Sequence, residues 1–121
     1  MANLDRVFSQ YIRLKDADHA GYVKCWTCDK VKNWREVDAG HFQSRGKYST
    51  RWDESNVKPQ CKKCNMYNGG HQYQFGLNLD FHYGKGTAER LILLGNQTRR
   101  YSDAELESMI REYRKKLDDL L

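Results

Sequence analysis

Four cysteines form two Cys-x-x-Cys pairs that bracket the middle of the chain. Cys25 and Cys28 form the first pair, and Cys61 and Cys64 form the second. A Cys-x-x-Cys turn lets two thiolates reach one ion, and structural zinc takes four tetrahedral ligands, so two such turns complete its shell. The 32 residues between the pairs must form a structured insert. We therefore expect a structural Zn²⁺ with no open position for water, so metal catalysis would need a second ion.

The insert carries His41, and Asn65 follows the second cysteine pair directly. A neutral imidazole can take a proton from water near neutral pH, and an amide oxygen is a hard ligand suited to Mg²⁺ or Mn²⁺. Phosphodiester hydrolysis needs a base for the attacking water and a cation at the leaving oxygen. A zinc ion that holds both pairs together would bring Asn65 towards His41, which suggests a nuclease site. The alternative is a non-catalytic zinc-ribbon module that binds DNA and in which His41 only packs.

The basic residues of the chain are concentrated around this candidate site. The formal net charge is +5, and residues 41–64 contain six Lys and Arg against two acidic residues. A basic surface attracts polyanions because Lys and Arg neutralise phosphates and release counterions. The expected DNA contacts are Arg45, Lys47, Arg51, Lys62, Lys63 and His71. Solvated surface side chains are the alternative interpretation of this patch.

Length and composition limit the protein that could contain such a site. The 121 residues, of which 31% are charged, fit one domain with a small core that a metal ion would help to hold. No apolar run with a cleavage site follows the first residues, so we expect reduced cysteines in the cytoplasm. No stretch approaches the roughly 20 apolar residues that a membrane span requires.

Hydrophobic periodicity and turn residues predict the secondary structure around the site. The predicted elements are a helix over residues 3–18, a strand over 22–24, an extended segment over 32–42, a strand over 48–52, a short helix from 64 to about 67, and helices over 87–94 and from 103 to the C-terminus. Alternating apolar residues leave 71–83 open between strand and helix. The apolar face of the last helix either closes over the core or pairs with a second chain.

The order of these residues resembles a nuclease motif. The order resembles the HNH or ββα-metal motif, with a Cys-x-x-Cys pair, a His at a strand end, an Asn and then Cys-x-x-Cys-Asn. The variant it resembles has Asn in place of the last His, as in junction resolvases of the endonuclease VII type. Residues 34–121 are similar, more closely, to the lambdoid phage NinG family, also called Rap. The similarity depends on residues 38–42, 51–57, 60–65 and 113–117.

The resemblance implies a role for each matching position. His41 matches the general base that activates water, and Asn65 matches the metal ligand after the second pair. Asn56 matches the middle Asn of the motif, which is counted with the catalytic residues. This Asn usually braces the loop that carries the His. The four cysteines match the structural zinc site, and Mg²⁺ or Mn²⁺ would be the catalytic metal. Rap-like proteins act on branched DNA such as Holliday junctions and D-loops in phage recombination. The other catalytic alternative is an HNH nuclease that acts on ordinary duplex DNA.

The resemblance also implies an architecture. We expect a single α+β domain over residues 1–121, with an N-terminal helix (1–20), a zinc-stapled HNH-like core (21–70) and a mostly helical C-terminal part (71–121). Because a junction is two-fold symmetric and needs two cuts, we expect a homodimer, with the helix over 103–120 as candidate interface. The expected location is the bacterial host cytoplasm, with the gene carried by a phage or prophage.

One position departs from the HNH pattern. Many HNH enzymes place an Asp or His metal ligand directly before the catalytic His, whereas this chain has Gly40 there. Asp38 lies two residues before Gly40, and on an extended strand it would point away from His41. Either the strand bulges so that Asp38 reaches the metal, or Asn65, phosphate oxygens and water hold the ion.

Overall fold

The computed structural model describes residues 1–121, which fold into helices and two small antiparallel sheets in an α+β arrangement. The elements are α1 (Ala2–Leu14), β1 (Tyr22–Lys24), β2 (Val31–Asn33), a 3₁₀ turn (Trp34–Glu36), β3 (Val37–His41), β4 (Val57–Cys61), a π-helical turn (Lys63–Tyr67), α2 (Gln72–Tyr83), α3 (Thr87–Gly95) and α4 (Asp103–Leu120). None of the helices is both long enough and apolar enough to cross a membrane.

The main hydrophobic core lies between the first and last helices. Helix α1 buries Leu4, Phe8 and Ile12 on one face, at the spacing predicted from the sequence, and these residues pack with Tyr113 and Leu117 of α4. The Ser102 hydroxyl and the Glu105 carboxylate form a capping box at the start of α4, where the sequence predicts a helix. The apolar face of α4 thus covers the core of its own chain.

The two sheets are hairpin-like pairs, β1 with β2 and β3 with β4. The strand at 22–24 is confirmed, but the segment over 32–42 is divided: a 3₁₀ turn separates β2 from β3 because the Asn33 side chain accepts the Arg35 backbone N–H. Residues 48–52 form turns, so the strand predicted there is wrong. The Thr50 carbonyl accepts instead from the Asn56 side-chain amide, and Trp52 packs in the main core.

The alternating segment that begins at residue 71 forms helix α2. Its buried residues Phe75 and Leu79 lie four apart and pack with Phe42 and Leu91 in a second cluster, whereas the alternate aromatics remain exposed. Gly76 allows this packing, because a Cβ there would lie 3.2 Å from the Phe42 ring. The alternating apolar residues therefore divide between the buried side and the exposed side of helix α2.

Candidate functional site

The four cysteine sulfurs form a compact cluster between β1, β4 and the π-helical turn. All four Sγ atoms lie within 4.8 Å of one another, and Cys28 Sγ is 3.6 Å from Cys61 Sγ. A tetrahedral zinc with Zn–S bonds of 2.3 Å separates its sulfurs by about 3.8 Å. The cluster therefore fits a single Zn²⁺ held by Cys25, Cys28, Cys61 and Cys64, as the sequence predicts.

The protein around the cluster shifts the thiol pKa values of Cys25 and Cys64 in opposite directions. Burial raises the pKa of Cys25, but hydrogen bonds from the Cys61 backbone N–H and from Thr27 outweigh it and lower that pKa to about 7. Burial dominates at Cys64 and raises its pKa to about 12. Four sulfurs at this separation, three of them in buried residues, can all be thiolates only if a dication compensates their charge.

His41 lies at the end of β3, half-buried, with one ring nitrogen held by the backbone. Its Nε2 is 3.0 Å from the Arg51 carbonyl oxygen, and because a carbonyl only accepts, Nε2 carries the proton. Nδ1 is then left unprotonated in the neutral ring. Burial lowers the pKa of His41, and the hydrogen bond to Arg51 opposes this only in part. The imidazole is therefore held in the neutral tautomer that can accept a proton at Nδ1.

A cavity of about 370 Å³ opens beside His41. The residues of its wall that carry polar side chains able to act on a phosphate or metal are Asp5, His41, Arg45, Arg51, Asn65 and Gln72. The cysteine cluster fixes Asn65 on the π-helical turn beside the end of β3. The structure therefore brings together His41, Asn65 and two of the predicted DNA-contact arginines.

Arg51 is in the cavity wall, but it is bound to a residue that sequence reasoning missed. It is only 9% exposed, and its guanidinium donates to Asp5 of α1 through Nη2 (2.5 Å) and Nε (3.1 Å). The Trp52 indole N–H also donates to Asp5. Burial raises the pKa of Asp5, but the hydrogen bonds from Arg51 and Trp52 outweigh it and lower that pKa. Arg51 is thus an ordered cation rather than a free surface arginine.

Asp38 contacts Asn65 rather than the cavity. The Asn65 side-chain N–H donates to Asp38 Oδ2 at 3.0 Å, and the other carboxylate oxygen accepts from Lys62 at 2.8 Å. Strands β3 and β4 pair in unbroken register from Val37 to His41, so no bulge turns Asp38 towards His41. The expectation that Asp38 is a metal ligand stays a prediction, but the strand bulge that would turn it towards His41 is absent. Asp38 instead orients the Asn65 amide and pairs with Lys62.

Asn65 offers the cavity one free amide oxygen that could face a metal ion. Its Oδ1 accepts no hydrogen bond from the protein, while its Nδ2 is fixed by Asp38. Mg²⁺ is usually bound through one or two carboxylates together with substrate phosphates and water, so an ion held by Asn65 would also need phosphate oxygens from a substrate. The nearest carboxylate in the wall, Asp5, is already paired with Arg51.

Asn56 is fully buried and braces the loop that follows His41. Its side-chain oxygen accepts from the Gln43 backbone N–H at 2.7 Å, and its amide donates to the carbonyls of Gln43 and Thr50. It does not line the cavity beside His41. The structure therefore gives Asn56 a positioning role and no contact with reacting groups.

The remaining predicted DNA contacts differ in how free their side chains are. Arg45 and Lys63 are exposed, and neither is in an ion pair, whereas Lys47 donates to the Gln43 side chain. His71 is half-buried outside the cavity wall, in a left-handed conformation with φ of 49°. Gln72, which is not among the predicted site residues, donates to the His41 carbonyl at 3.3 Å.

Gly40 is required because the Gln60 side chain occupies the space beside it. A Cβ at Gly40 would lie 2.7 Å from Gln60 Cδ, and the Gln60 amide is fixed by bonds to the Thr27 hydroxyl and the Gly70 carbonyl. The position before His41 therefore has no room for the carboxylate that many HNH enzymes carry there.

Replacing Gly40 with Ala should destabilise the fold by about 1–3 kcal/mol, because the Gln60 amide must leave its partners. Thermal unfolding would measure the loss. Gly46→Ala is the matched control, since the nearest atom to its Cβ is 4.0 Å away. Equal melting temperatures for the two variants would contradict the tight packing at Gly40.

Comparisons with known proteins identify relatives over the whole chain. A family model described as bacteriophage lambda NinG protein matches residues 1–121. The chain is 27% identical over 111 residues to Protein ninG of Salmonella phage P22, and 26% identical over the same length to Protein ninG of Escherichia phage lambda and of Escherichia phage 933W. Each match covers 91% of this chain and 52% of the relative, so the chain spans about half the length of these curated relatives. No solved structure matches it.

Proposed function

This chain belongs to the family of the bacteriophage lambda NinG protein, and from that premise we propose that it is a metal-dependent DNA endonuclease with a zinc-stapled ββα-metal core. The observation that carries the proposal is the hydrogen bond from His41 Nε2 to the Arg51 carbonyl at 3.0 Å. It holds the ring in the tautomer that a general base needs, inside a cavity that also contains Asn65 and two arginines.

In the proposed reaction, His41 Nδ1 removes a proton from a water molecule that attacks the phosphorus of the DNA backbone. Asn65, oriented by Asp38, would hold a Mg²⁺ or Mn²⁺ ion. That ion, when bound, supplies positive charge at the phosphate and at the leaving 3′ oxygen, so that the product keeps a 5′ phosphate, as the HNH resemblance implies. Arg51 adds a fixed cation to the wall, because Asp5 and the rings of Tyr48 and Trp52 hold its guanidinium in place.

DNA binding would depend on the exposed cations near the cavity. Arg45 belongs to its wall, and Lys63 precedes Cys64 with its side chain exposed. Both can contact phosphates without first breaking an ion pair. Lys62 and Arg51 already neutralise Asp38 and Asp5, so we expect them to contribute less to DNA affinity.

The substrate and assembly are proposed from the resemblance. Branched DNA, such as a Holliday junction or a D-loop, is the substrate that the NinG and Rap resemblance implies. Two cuts across a symmetric junction would require a homodimer in the host cytoplasm. Since the apolar face of α4 packs on α1, a dimer that uses α4 would have to use its outer face.

A cleavage assay tests the proposal. Zinc-loaded protein would be incubated with Mg²⁺ or Mn²⁺ on a four-way junction, a fork, a nicked duplex and a plain duplex of matched sequence. Paired nicks confined to the junction support the branched-DNA endonuclease. Equal cutting of plain duplex would indicate a general HNH nuclease, and binding without cleavage under either metal would indicate the zinc-ribbon module.

The pH dependence of cleavage should show an acid limb with a midpoint below 6.5. Burial lowers the pKa of His41 from its ordinary value of 6.5, so the ring stays neutral and active to lower pH than a free imidazole. The same shift means that the unfolded chain binds a proton first as pH falls, which lowers stability below pH 6.5. Single-turnover rates from pH 5 to 8 would measure the limb, with circular dichroism checking the fold at each pH. A midpoint above 7 would contradict a buried neutral base.

A further inference from the structure

A second and larger cavity, of about 770 Å³, is lined by residues of β1, β4 and helix α2. Side chains alternate between the two faces of a strand, so Lys58, the register partner of Gly40, points away from the face that carries His41. The side chains of its wall that matter here are Trp26, Lys58, Gln74, Asn78, Phe81 and Tyr83. None of them has a part in the proposed reaction.

Lys58 is a buried cation without a carboxylate partner. It is 2% exposed and forms no ion pair; its ammonium donates to the Tyr83 hydroxyl and lies 5.0 Å from the centre of the Trp26 ring. Burial, and then repulsion from Lys15, lower its pKa to about 8, so it remains mostly charged at neutral pH. Because Lys58 donates to the Tyr83 oxygen, the hydroxyl hydrogen of this half-exposed phenol is left to donate to an acceptor oxygen in the cavity.

The walls of this cavity carry flat rings and ordered amides. Phe81 is 93% exposed, and it lines this cavity together with the half-buried Trp26. The Gln74 side-chain N–H donates to Asn78 Oδ1, and the Asn78 amide donates to the Trp26 carbonyl, so both amides are held in fixed orientations. Exposed aromatic faces together with hydrogen-bonding edges are the combination that proteins use to bind unpaired nucleobases.

The charges around this cavity permit a DNA strand. Lys15, Lys24 and Lys58 in the wall outnumber the two acidic residues, Asp16 and Asp29. Asp29 is paired with Lys24 at 3.4 Å. The only charged residue in α2 is Asp80, whose carboxylate accepts the Ala88 backbone N–H. The outer surface of α2 therefore presents rings and amides without a carboxylate that would repel phosphate.

Helix α2 connects this cavity with the one beside His41. Gln72 at its start bonds to the His41 carbonyl and lines the first cavity, while His82 near its end lines the second. Ten residues of α-helix span about 15 Å. That distance corresponds to on the order of four stacked nucleotides of one strand.

We propose that the cavity lined by Trp26, Phe81 and Tyr83 binds an unpaired base of the DNA strand, stacked on the rings, with the Tyr83 hydroxyl donating to a carbonyl oxygen of the base and the buried Lys58 ammonium holding that hydroxyl in place. Lys15 and Lys24, which are paired with Glu54 and Asp29, would exchange these partners for the flanking phosphates. The inference depends on the proposed function only in taking DNA as the partner. It gives the enzyme a physical means of distinguishing branched DNA, which can release an unpaired base, from continuous duplex.

The test is binding of a labelled short oligothymidylate to zinc-loaded protein, measured by fluorescence anisotropy without Mg²⁺ so that no cleavage occurs. Phe81→Ala should weaken binding by about tenfold, because stacking contributes roughly 1–3 kcal/mol per base, and should leave duplex affinity and melting temperature unchanged. Leu93→Ala is the matched control, since this side chain is 61% exposed on α3 away from the cavity. Wild-type protein should also prefer oligothymidylate to oligodeoxyadenylate, because thymine offers two carbonyl oxygens.

Several results would overturn the proposal. Equal binding by Phe81→Ala and Leu93→Ala would remove the stacking role, and loss of duplex affinity equal to the loss for oligothymidylate would show a general rather than a base-specific effect. Free thymidine monophosphate binding as tightly as the oligonucleotide would exclude a strand as the ligand. A wild-type protein that binds as expected but never cleaves would overturn the nuclease proposal alone, since this assay requires no catalysis.

Discussion

Replacing His41 with Ala should lower the rate of DNA cleavage by about 10²- to 10⁴-fold, the contribution expected of a general base. The variant loses Nδ1 as proton acceptor and one hydrogen bond to the Arg51 carbonyl, but no charged contact. DNA affinity should therefore stay within about twofold of wild type, since phosphate contacts dominate it. Single-turnover cleavage of the preferred substrate with saturating Mg²⁺ measures the rate, and anisotropy measures the affinity.

The control for this substitution is His19→Ala, which removes an exposed histidine that lines neither the cavity beside His41 nor the cavity of Lys58. It should cleave at the wild-type rate. Loss of the His41 hydrogen bond to the Arg51 carbonyl should cost about 1 kcal/mol, so both variants should remain folded in thermal melts. If His41→Ala retained metal-dependent cleavage within a few-fold of wild type, another group would have to be the base.

Replacing Cys61 with Ser should abolish zinc binding and most of the folded structure. Cys61 ends β4, and its backbone N–H and sulfur contact Cys25 and Cys28, so the change affects both cysteine pairs. Structural zinc contributes about 10–16 kcal/mol in zinc-finger peptides, which is comparable to or larger than the 5–15 kcal/mol stability of a typical domain. Native mass spectrometry should show one zinc per wild-type chain and none in the variant, and circular dichroism should show loss of cooperative unfolding.

Metal removal provides an independent check on the same cluster. Prolonged chelation of wild-type protein should cause unfolding that added Zn²⁺ reverses and Mg²⁺ does not, because thiolates are poor ligands for magnesium. Brief chelation, before zinc is lost, should stop cleavage and leave DNA binding intact. A metal-free wild-type protein with four reactive thiols and an unchanged melting temperature would show that the cluster has no structural ion.

The sequence by itself determined the parts of this protein that depend on local spacing. Two Cys-x-x-Cys pairs predicted a four-thiolate cluster, because a three-residue offset places two sulfurs on one side of a turn. The apolar spacing of α1 and the capping box at Ser102 are likewise local, and the structure agrees with both. Residues 38–42, 51–57, 60–65 and 113–117 were also sufficient to indicate the NinG family, which the family match confirms.

Only the tertiary structure decided which side chains meet across the chain. The partner of Arg51 is Asp5 of α1, 46 residues away in the sequence, and this contact depends on how α1 lies across the loop that carries Arg51. Asp38 binds Asn65, because the unbroken β3–β4 register and the cysteine cluster fix both. The alternating residues of α2 could be assigned only once Phe42 and Leu91 were available to cover Phe75 and Leu79. Such contacts depend on how distant segments of the chain pack together, and the spacing of residues within one segment does not predict this packing.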